Sequence, residues 1–304
     1  MEIEKNKPLA SLSTFGIGGR AEYYTKVSKS EKILKAINWA KKHNVKYSVI
    51  GGGSNIVFPD KILLGLLIQI KGGEITREKG GNELAVDAGV SLQKIINFAN
   101  TLGLQGLETL AGIPGALGGS IVGNAGAYGH SISEIVKNVK VWDGEKIRTL
   151  NNKECLFNYR DSIFKKEDFL ILKTIIQFTK GDPSKLLAKS DEIKNIRRKK
   201  YAAGIKCPGS FFKNILVKDI SKETLGKIDK SKIIENKIPA GYLLQEVGAK
   251  GMASGGIQVA DFHGNFFINK GGGTQADVKS LAKTLKQKVL NKFGIKLCEE
   301  IHYF

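Results

Sequence analysis

The stretch that most constrains the fold is Leu110 to Gly129, LAGIPGALGGSIVGNAGAYG. Seven of its twenty residues are glycine, and only Pro114 restricts the backbone strongly. Each glycine costs roughly 1 kcal/mol against alanine inside a helix, so the run is not expected to be helical. It carries no charge and interleaves Leu, Ile and Val, which argues against a solvated linker. Glycine offers tight turns and backbone N–H groups that approach a ligand with no Cβ in the way. An uncharged cradle of that kind suits a phosphate or a flat ring system. A buried, sharply turning strand and loop would use the same residues.

A second cluster shifts that balance. Lys46 to Asn55 reads KYSVIGGGSN, an apolar strand running into three glycines. Nucleotide phosphates favour such strand ends, where the N–H groups of the turn point outward. The spacing is not G-x-G-x-x-G, and G-x-x-x-x-G-K-[ST] is absent, so neither a Rossmann fingerprint nor a Walker loop is present. Two cradles in one chain point to one ligand with two ends.

A chain of 304 residues suits two or three compact units. Its longest apolar run, ILLGLLIQI at 62–70, is too short to span a membrane. The N-terminus has charges of both signs and no apolar segment after them, so no secretory signal is expected. Three cysteines without C-x-x-C spacing argue against a disulfide framework or a metal site. A cytoplasmic, monomeric protein is expected. The net charge of +19 raises nucleic-acid binding, but the excess is mostly lysine spread along amphipathic segments. Only IRRKKY at 196–201 is dense, and no nucleic-acid-binding motif accompanies it, so no nucleic-acid partner is expected. A positive field also suits anionic small ligands.

Local signals order the rest. Ser30 is expected to cap a helix of about fourteen residues with Ile33, Leu34, Ile37 and Ala40 as its apolar stripe. Ser91 caps a second helix that ends at Gly103. Residues 136–150 form a hairpin turning at Asp143–Gly144, and 169–178 a buried strand. Gly181-Asp182-Pro183 then breaks the chain, and a basic helix follows from Ser184 to about Tyr201. Beyond it come a helix near 242–247, a hairpin through 262–265, a long helix from Gln275 to Phe293 capped by Thr274, and a strand over 296–304.

Several motifs in this order resemble the UDP-N-acetylenolpyruvoylglucosamine reductase family. They are STFGIGGRA at 13–21, VIGGGSN at 49–55 and GIPGALGGSIVGNAGAYG at 112–129, then YRDSIFK at 159–165 and PGSFFKN at 208–214. KGMASGGIQVADFHGNFFIN at 250–269 and the terminal CEEIHYF complete the set. The resemblance implies an α+β fold: a two-lobed PCMH-type FAD-binding domain over 1–182, with lobes about 1–58 and 59–182. A linking helix and a smaller α+β substrate domain over 183–304 follow. It implies non-covalent FAD and NADPH as co-substrate, with hydride passing through the flavin N5. UDP-N-acetylglucosamine enolpyruvate becomes UDP-N-acetylmuramate, a peptidoglycan precursor. Cofactor contacts fall on Ile50, Gly51, Gly52, Gly53, Ser54, Asn55 and Ile56. The second cradle contributes Pro114, Gly115, Gly118, Gly119, Ser120, Asn124 and Gly126, and Arg197 reaches the flavin phosphates.

Three residues take catalytic roles by the same resemblance. Alone, Arg160 reads better as a surface arginine paired with Asp161. Beside an enolpyruvyl group it pairs with the carboxylate and stabilises developing charge, with Asp161 and Ser162 holding it. Ser210, by itself a turn residue after Pro-Gly, becomes the proton donor, aided by a positive neighbour such as Lys213 or by a relay from bound water. Alternation on the last strand groups Glu300 with Cys298, His302 and Phe304, opposite Leu297, Glu299, Ile301 and Tyr303. The family pattern selects Glu300. Tyr128, Lys200, Asn214 and His263 match substrate-binding positions. Ile215 stands where the family commonly has proline. Only 50 positions separate Arg160 from Ser210, which matches the branch lacking a tyrosine loop between these motifs.

Overall fold

The computed structural model describes residues 1–200 and 204–304, without the Lys200 side chain. The chain divides into two compact units. The first comprises Met1–Lys7, Glu22–Gly52 and Leu64–Ala202, the second Pro8–Ala21, Gly53–Leu63 and Ala203–Phe304.

In the first unit, strands 4–8, 20–27, 63–70 and 47–50 lie side by side in that order. The last two run parallel, from Tyr47 opposite Leu66 to Ile50 opposite Gln69. Helix α1 (Ser30–Lys42) buries Ile33, Ala36, Ile37 and Ala40, which share a core with Leu66, Ile68 and Ile70. Its cap position is Lys29, so Ser30 is the first helical residue and not the cap. The apolar run at 62–70 is therefore a sheet strand, buried from Gly65 onward.

A second, antiparallel sheet has the order 147–151, 136–142, 170–177, 83–87 and 75–77. Its first hairpin turns where expected. Asp143 Oδ1 accepts from the N–H groups of Glu145 at 3.0 Å and Lys146 at 2.8 Å, and Gly144 takes φ 101°. Helix α2 (Leu92–Thr101) is capped by Ser91, which accepts from the Lys94 N–H, and lays Leu92, Ile95, Ile96 and Ala99 into the core of this sheet.

The glycine-rich run contains a helix after all. α3 (Leu117–Val122) is a six-residue turn of LGGSIV. Propensity disfavours it, but Leu117 and Ile121 are wholly buried, and tertiary packing overrides the glycine cost.

The break at Gly181-Asp182-Pro183 starts a helix and does not end a domain. Asp182 Oδ1 accepts from the N–H groups of Ser184 and Lys185, and Pro183 opens α4 (Pro183–Lys200). That helix stays with the first unit: Leu186 and Ile193 are buried, and Asn100 Nδ2 donates to Leu186 O and Ser190 Oγ. The boundary expected at residue 182 therefore falls after α4.

The second unit contains α5 (Lys222–Gly226), α6 (Ala240–Glu246), α7 (Gln275–Phe293) and an antiparallel sheet of strands 253–254, 257–259 and 267–269. A Thr274–Asp277 capping box opens α7 and left-handed Gly294 closes it. Its Val278, Leu281, Leu285 and Val289 meet Leu243 and Leu244 of α6 and Phe211, Phe212 and Phe267. Phe15, Ile17 and Val57 complete this core, which is why two short N-terminal segments belong here.

The tail is less regular than expected. Only His302–Tyr303 is a strand, parallel to 56–57, and Glu299 forms a single bridge to Phe212. The expected alternation is seen in Leu297 and Ile301, which are buried, and in Cys298 and His302, which are exposed, while Glu299, Glu300, Tyr303 and Phe304 are all half-buried. Among the described residues no helix is long and apolar enough to cross a membrane, and no cluster of metal-ligating side chains occurs. All three cysteines are free; burial pushes the Cys155 thiol up to about 12.

Candidate active site

Within the first unit, Gly51 and Gly52 of the first cradle lie against the second cradle. A Cβ added at Gly51 would sit 3.3 Å from Ala116 Cβ, and one at Gly52 would sit 3.0 Å from Gly115 Cα. Buried Gln69 sets the first turn. Its Nε2 donates to Gly51 O at 3.3 Å, while its Oε1 accepts from Tyr24 Oη at 2.7 Å. Ile50 is the buried last residue of the strand that enters the turn. The second cradle is fixed by its main chain: Gly115 O accepts from the Leu92 N–H, and the Gly118 N–H donates to Ala88 O. Pro114 is exposed, and Ser120 Oγ donates to Ala116 O within α3.

The glycines serve different needs. Gly53, in the second unit, has φ 70°, and a Cβ there would lie 1.9 Å from Leu12 O, so packing alone demands glycine. Gly119 is exposed, and a Cβ there meets nothing within 4 Å. The cradle is uncharged, lined by backbone and open at Gly119, which fits a flat cofactor with a pyrophosphate.

Arg160 sits in a tight turn closed by paired main-chain bonds between Asn158 and Asp161, with φ 50°. Holding a branched-off L residue in that left-handed region costs of order 1–3 kcal/mol, and such strain gathers at functional sites. Its guanidinium donates to Gly126 O at 2.7 Å and to Asn124 O at 3.4 Å. Asp161, expected to orient it, pairs with Lys166 at 3.4 Å, and Ser162 Oγ donates to Val122 O. The carbonyls of the second cradle therefore aim the arginine. Asn124 braces both parts: its Nδ2 donates to Asn158 O at 2.9 Å and its Oδ1 accepts from the Ser133 N–H.

In the second unit, Ser210 and Glu300 are brought to one short segment. Ser210 is exposed and bridges Phe266; Phe212 bridges Glu299; the Glu300 N–H donates to Phe211 O at 2.8 Å. Asn55 Nδ2 donates to Glu300 O at 3.0 Å, while its own carbonyl accepts from the His302 N–H. The Glu299 carboxylate pairs with Lys286. Burial, with that carboxylate beside it, pushes the Tyr303 phenol above the ordinary tyrosine range.

Two models of known families cover most of the chain: an FAD binding domain over residues 21–148, and the C-terminal domain of UDP-N-acetylenolpyruvoylglucosamine reductase over 200–304. The enzyme of that name from Solibacter usitatus is 38% identical over 304 residues, covering 100% of this chain and 97% of the relative. The Bacillus subtilis enzyme is 31% identical over 302 residues, covering 99% and 93%. The chain belongs to this reductase family. A crystal structure of UDP-N-acetylenolpyruvylglucosamine reductase from Thermus caldophilus superposes with TM-score 0.78 at 26% identity, covering 100% of this chain and 99% of that one. The α+β architecture, the FAD-binding domain and FAD-dependent oxidoreductase activity follow from that membership.

Within the family frame, the remaining expected residues scatter. Ser54 is half-buried, and Ile56 pairs with the tail opposite His302. Arg197 of α4 lays its stem over Gly112, whose Cβ would be 3.0 Å from Arg197 Cδ. Tyr128 is exposed at φ 53°. Asn214 Oδ1 accepts from the Ala240 N–H and caps α6. His263 Nδ1 accepts from the Asn265 N–H at 3.1 Å. The expected role of the Lys200 side chain lies outside the described residues. Sequence reasoning missed Gln69 and Asn265. Their only signal is an amide inside an apolar strand or beside an aromatic pair.

Proposed function

We propose that the chain reduces UDP-N-acetylglucosamine enolpyruvate to UDP-N-acetylmuramate, with NADPH as reductant and a two-lobed PCMH-type domain holding non-covalent FAD. The two cradles would hold FAD, which would supply hydride chemistry between NADPH and the enolpyruvyl CH2 carbon through its N5. Arg160 pairs with the substrate carboxylate and stabilises the negative charge that builds up beside it. Ser210 Oγ–H gives its proton to the electron-rich carbon next to that carboxylate, which completes reduction of the C=C bond. Glu300 holds the enol and relays a proton from water to the serine alkoxide. Asn214 and His263 bind substrate, as do Lys200 and Tyr128. The observation that carries this reading is the shared Phe211 segment, with Ser210 at its head and Glu300 bonded to its main chain.

The purified protein is expected to be yellow and to release FAD into the supernatant on acid precipitation; flavin left in the pellet would overturn the non-covalent reading. Enolpyruvyl substrate should reoxidise the NADPH-bleached enzyme without oxygen. Gly119→Leu should fold with a melting temperature within a few degrees of the apoprotein, since no protein atom opposes its Cβ. It should nonetheless come off the column colourless. A yellow Gly119→Leu protein would mean that this glycine does not face the cofactor.

A further inference from the structure

Residues 210–212 are held by isolated bridges and not by a continuous ladder. Ser210 pairs with Phe266 on one side, and Phe212 with Glu299 on the other. One side chain fixes what the missing ladder would fix. Asn265 Oδ1 accepts from the Phe212 N–H at 2.8 Å, and its Nδ2 donates to Phe212 O at 2.8 Å. Its main-chain carbonyl also accepts from the Phe211 N–H at 3.0 Å. A carboxamide can meet a peptide's donor and acceptor at the same time; a carboxylate cannot donate, and an aliphatic chain does neither. Asn265 is 3% exposed, so water cannot take over these bonds. The rings on either side are locked as well: Phe211 stacks on Phe267 at 3.8 Å and meets Phe212 edge-on at 5.0 Å. On the opposite edge Phe211 O holds the Glu300 N–H. A rotation of the 211–212 backbone therefore moves Ser210 and Glu300 together.

We infer that Asn265 is the positioning residue for Ser210. It holds the 211–212 backbone so that the serine hydroxyl meets the substrate carbon in line. This rests on Ser210 being the proton donor. Asn265 reaches a second residue too. Its N–H donates to His263 Nδ1 at 3.1 Å, so the neutral imidazole keeps its proton on Nε2.

The test uses the FAD-loaded enzyme with Asn265→Ala and Asn265→Asp. Both should retain flavin and bleach with NADPH within twofold of the parent. Reoxidation by the enolpyruvyl substrate should slow about 100-fold, the usual consequence of a misplacement near 1 Å. The substrate concentration for half-maximal rate should not change, and the solvent deuterium isotope effect on reoxidation should rise, because proton delivery becomes the slow step. A lower melting temperature with unchanged reoxidation rate and isotope effect would overturn the inference. Normal turnover of Ser210→Ala would instead remove its premise; an impaired Ser210→Ala beside normal Asn265 variants sinks this inference alone. Should neither Asn265 variant fold, nitrogen-15 spectra of the unmutated holoenzyme decide. The Nε2–H tautomer of His263 and slow exchange of the Asn265 carboxamide protons support it; the Nδ1–H tautomer or fast exchange overturns it.

Discussion

Ser210→Ala is expected to separate the two half-reactions cleanly. Bleaching of the flavin by NADPH should proceed near the parental rate, since no carbon needs a proton at that stage. Reoxidation by the enolpyruvyl substrate should slow by ~10²–10⁴-fold, the usual worth of a positioned acid. Folding should be unaffected. The Ser210 side chain is exposed, and the segment is held by Phe211 and Phe212, which are buried at 0% and 1% exposure. A serine hydroxyl is a weak acid, and what lets it serve is placement beside groups that stabilise the alkoxide it becomes. Stopped-flow traces of flavin absorbance report both steps in one experiment. Parental reoxidation in the alanine variant would reduce Ser210 to a turn residue after Pro208-Gly209.

Local chemistry made part of this fold legible. The Thr274–Asp277 box and Gly294 mark both ends of α7, and Asp143–Gly144 marks its hairpin, because each signal acts within a few residues of itself. Non-local facts were not legible in the same way. Nothing near Gly51 says that it will meet Ala116, and Gly53 and Gly119 look alike in sequence although one is demanded by Leu12 O and the other faces open space. The same limit applies to the asparagines. Asn55 and Asn124 sit inside cofactor motifs, yet their side chains run to Glu300 O and Asn158 O, partners far along the chain. The domain cut was misread for a related reason: a Gly-Asp-Pro break records only that the chain turns. The burial of Ile193 and the Asn100–Ser190 bond decide to which unit the next helix belongs.

The tail carries the second large effect, because Glu300 lies four residues from the end of the sequence. Chain ends usually fray and tolerate trimming, but this one is tied down. The His302 N–H donates to Asn55 O, the Phe304 N–H to Val57 O, and buried Gln275 Nε2 to Phe304 O. Ile301 is 7% exposed, and Phe304 packs on Phe58 at 5.2 Å. Deleting Ile301–Phe304 removes those bonds, at about 1 kcal/mol apiece, together with a buried isoleucine. It also frees the Glu300 carboxylate from its position. Glu300→Gln is expected to fold, hold FAD and accept hydride from NADPH, then reoxidise ~10²-fold or more slowly with the enolpyruvyl substrate. The deletion should reoxidise at least as slowly and melt lower. Glu299→Gln provides the contrast. On facing alone it would be silent, but its carboxylate pairs with Lys286 and stands beside the Tyr303 phenol. It should therefore lose up to about 1 kcal/mol of stability, as a partly exposed ion pair does, with both half-reactions near parental rates. Melting curves and stopped-flow traces of the three variants separate position from chemistry. Equal slowing of reoxidation in Glu299→Gln and Glu300→Gln would mean that the catalytic role does not belong to the Glu300 carboxylate in particular.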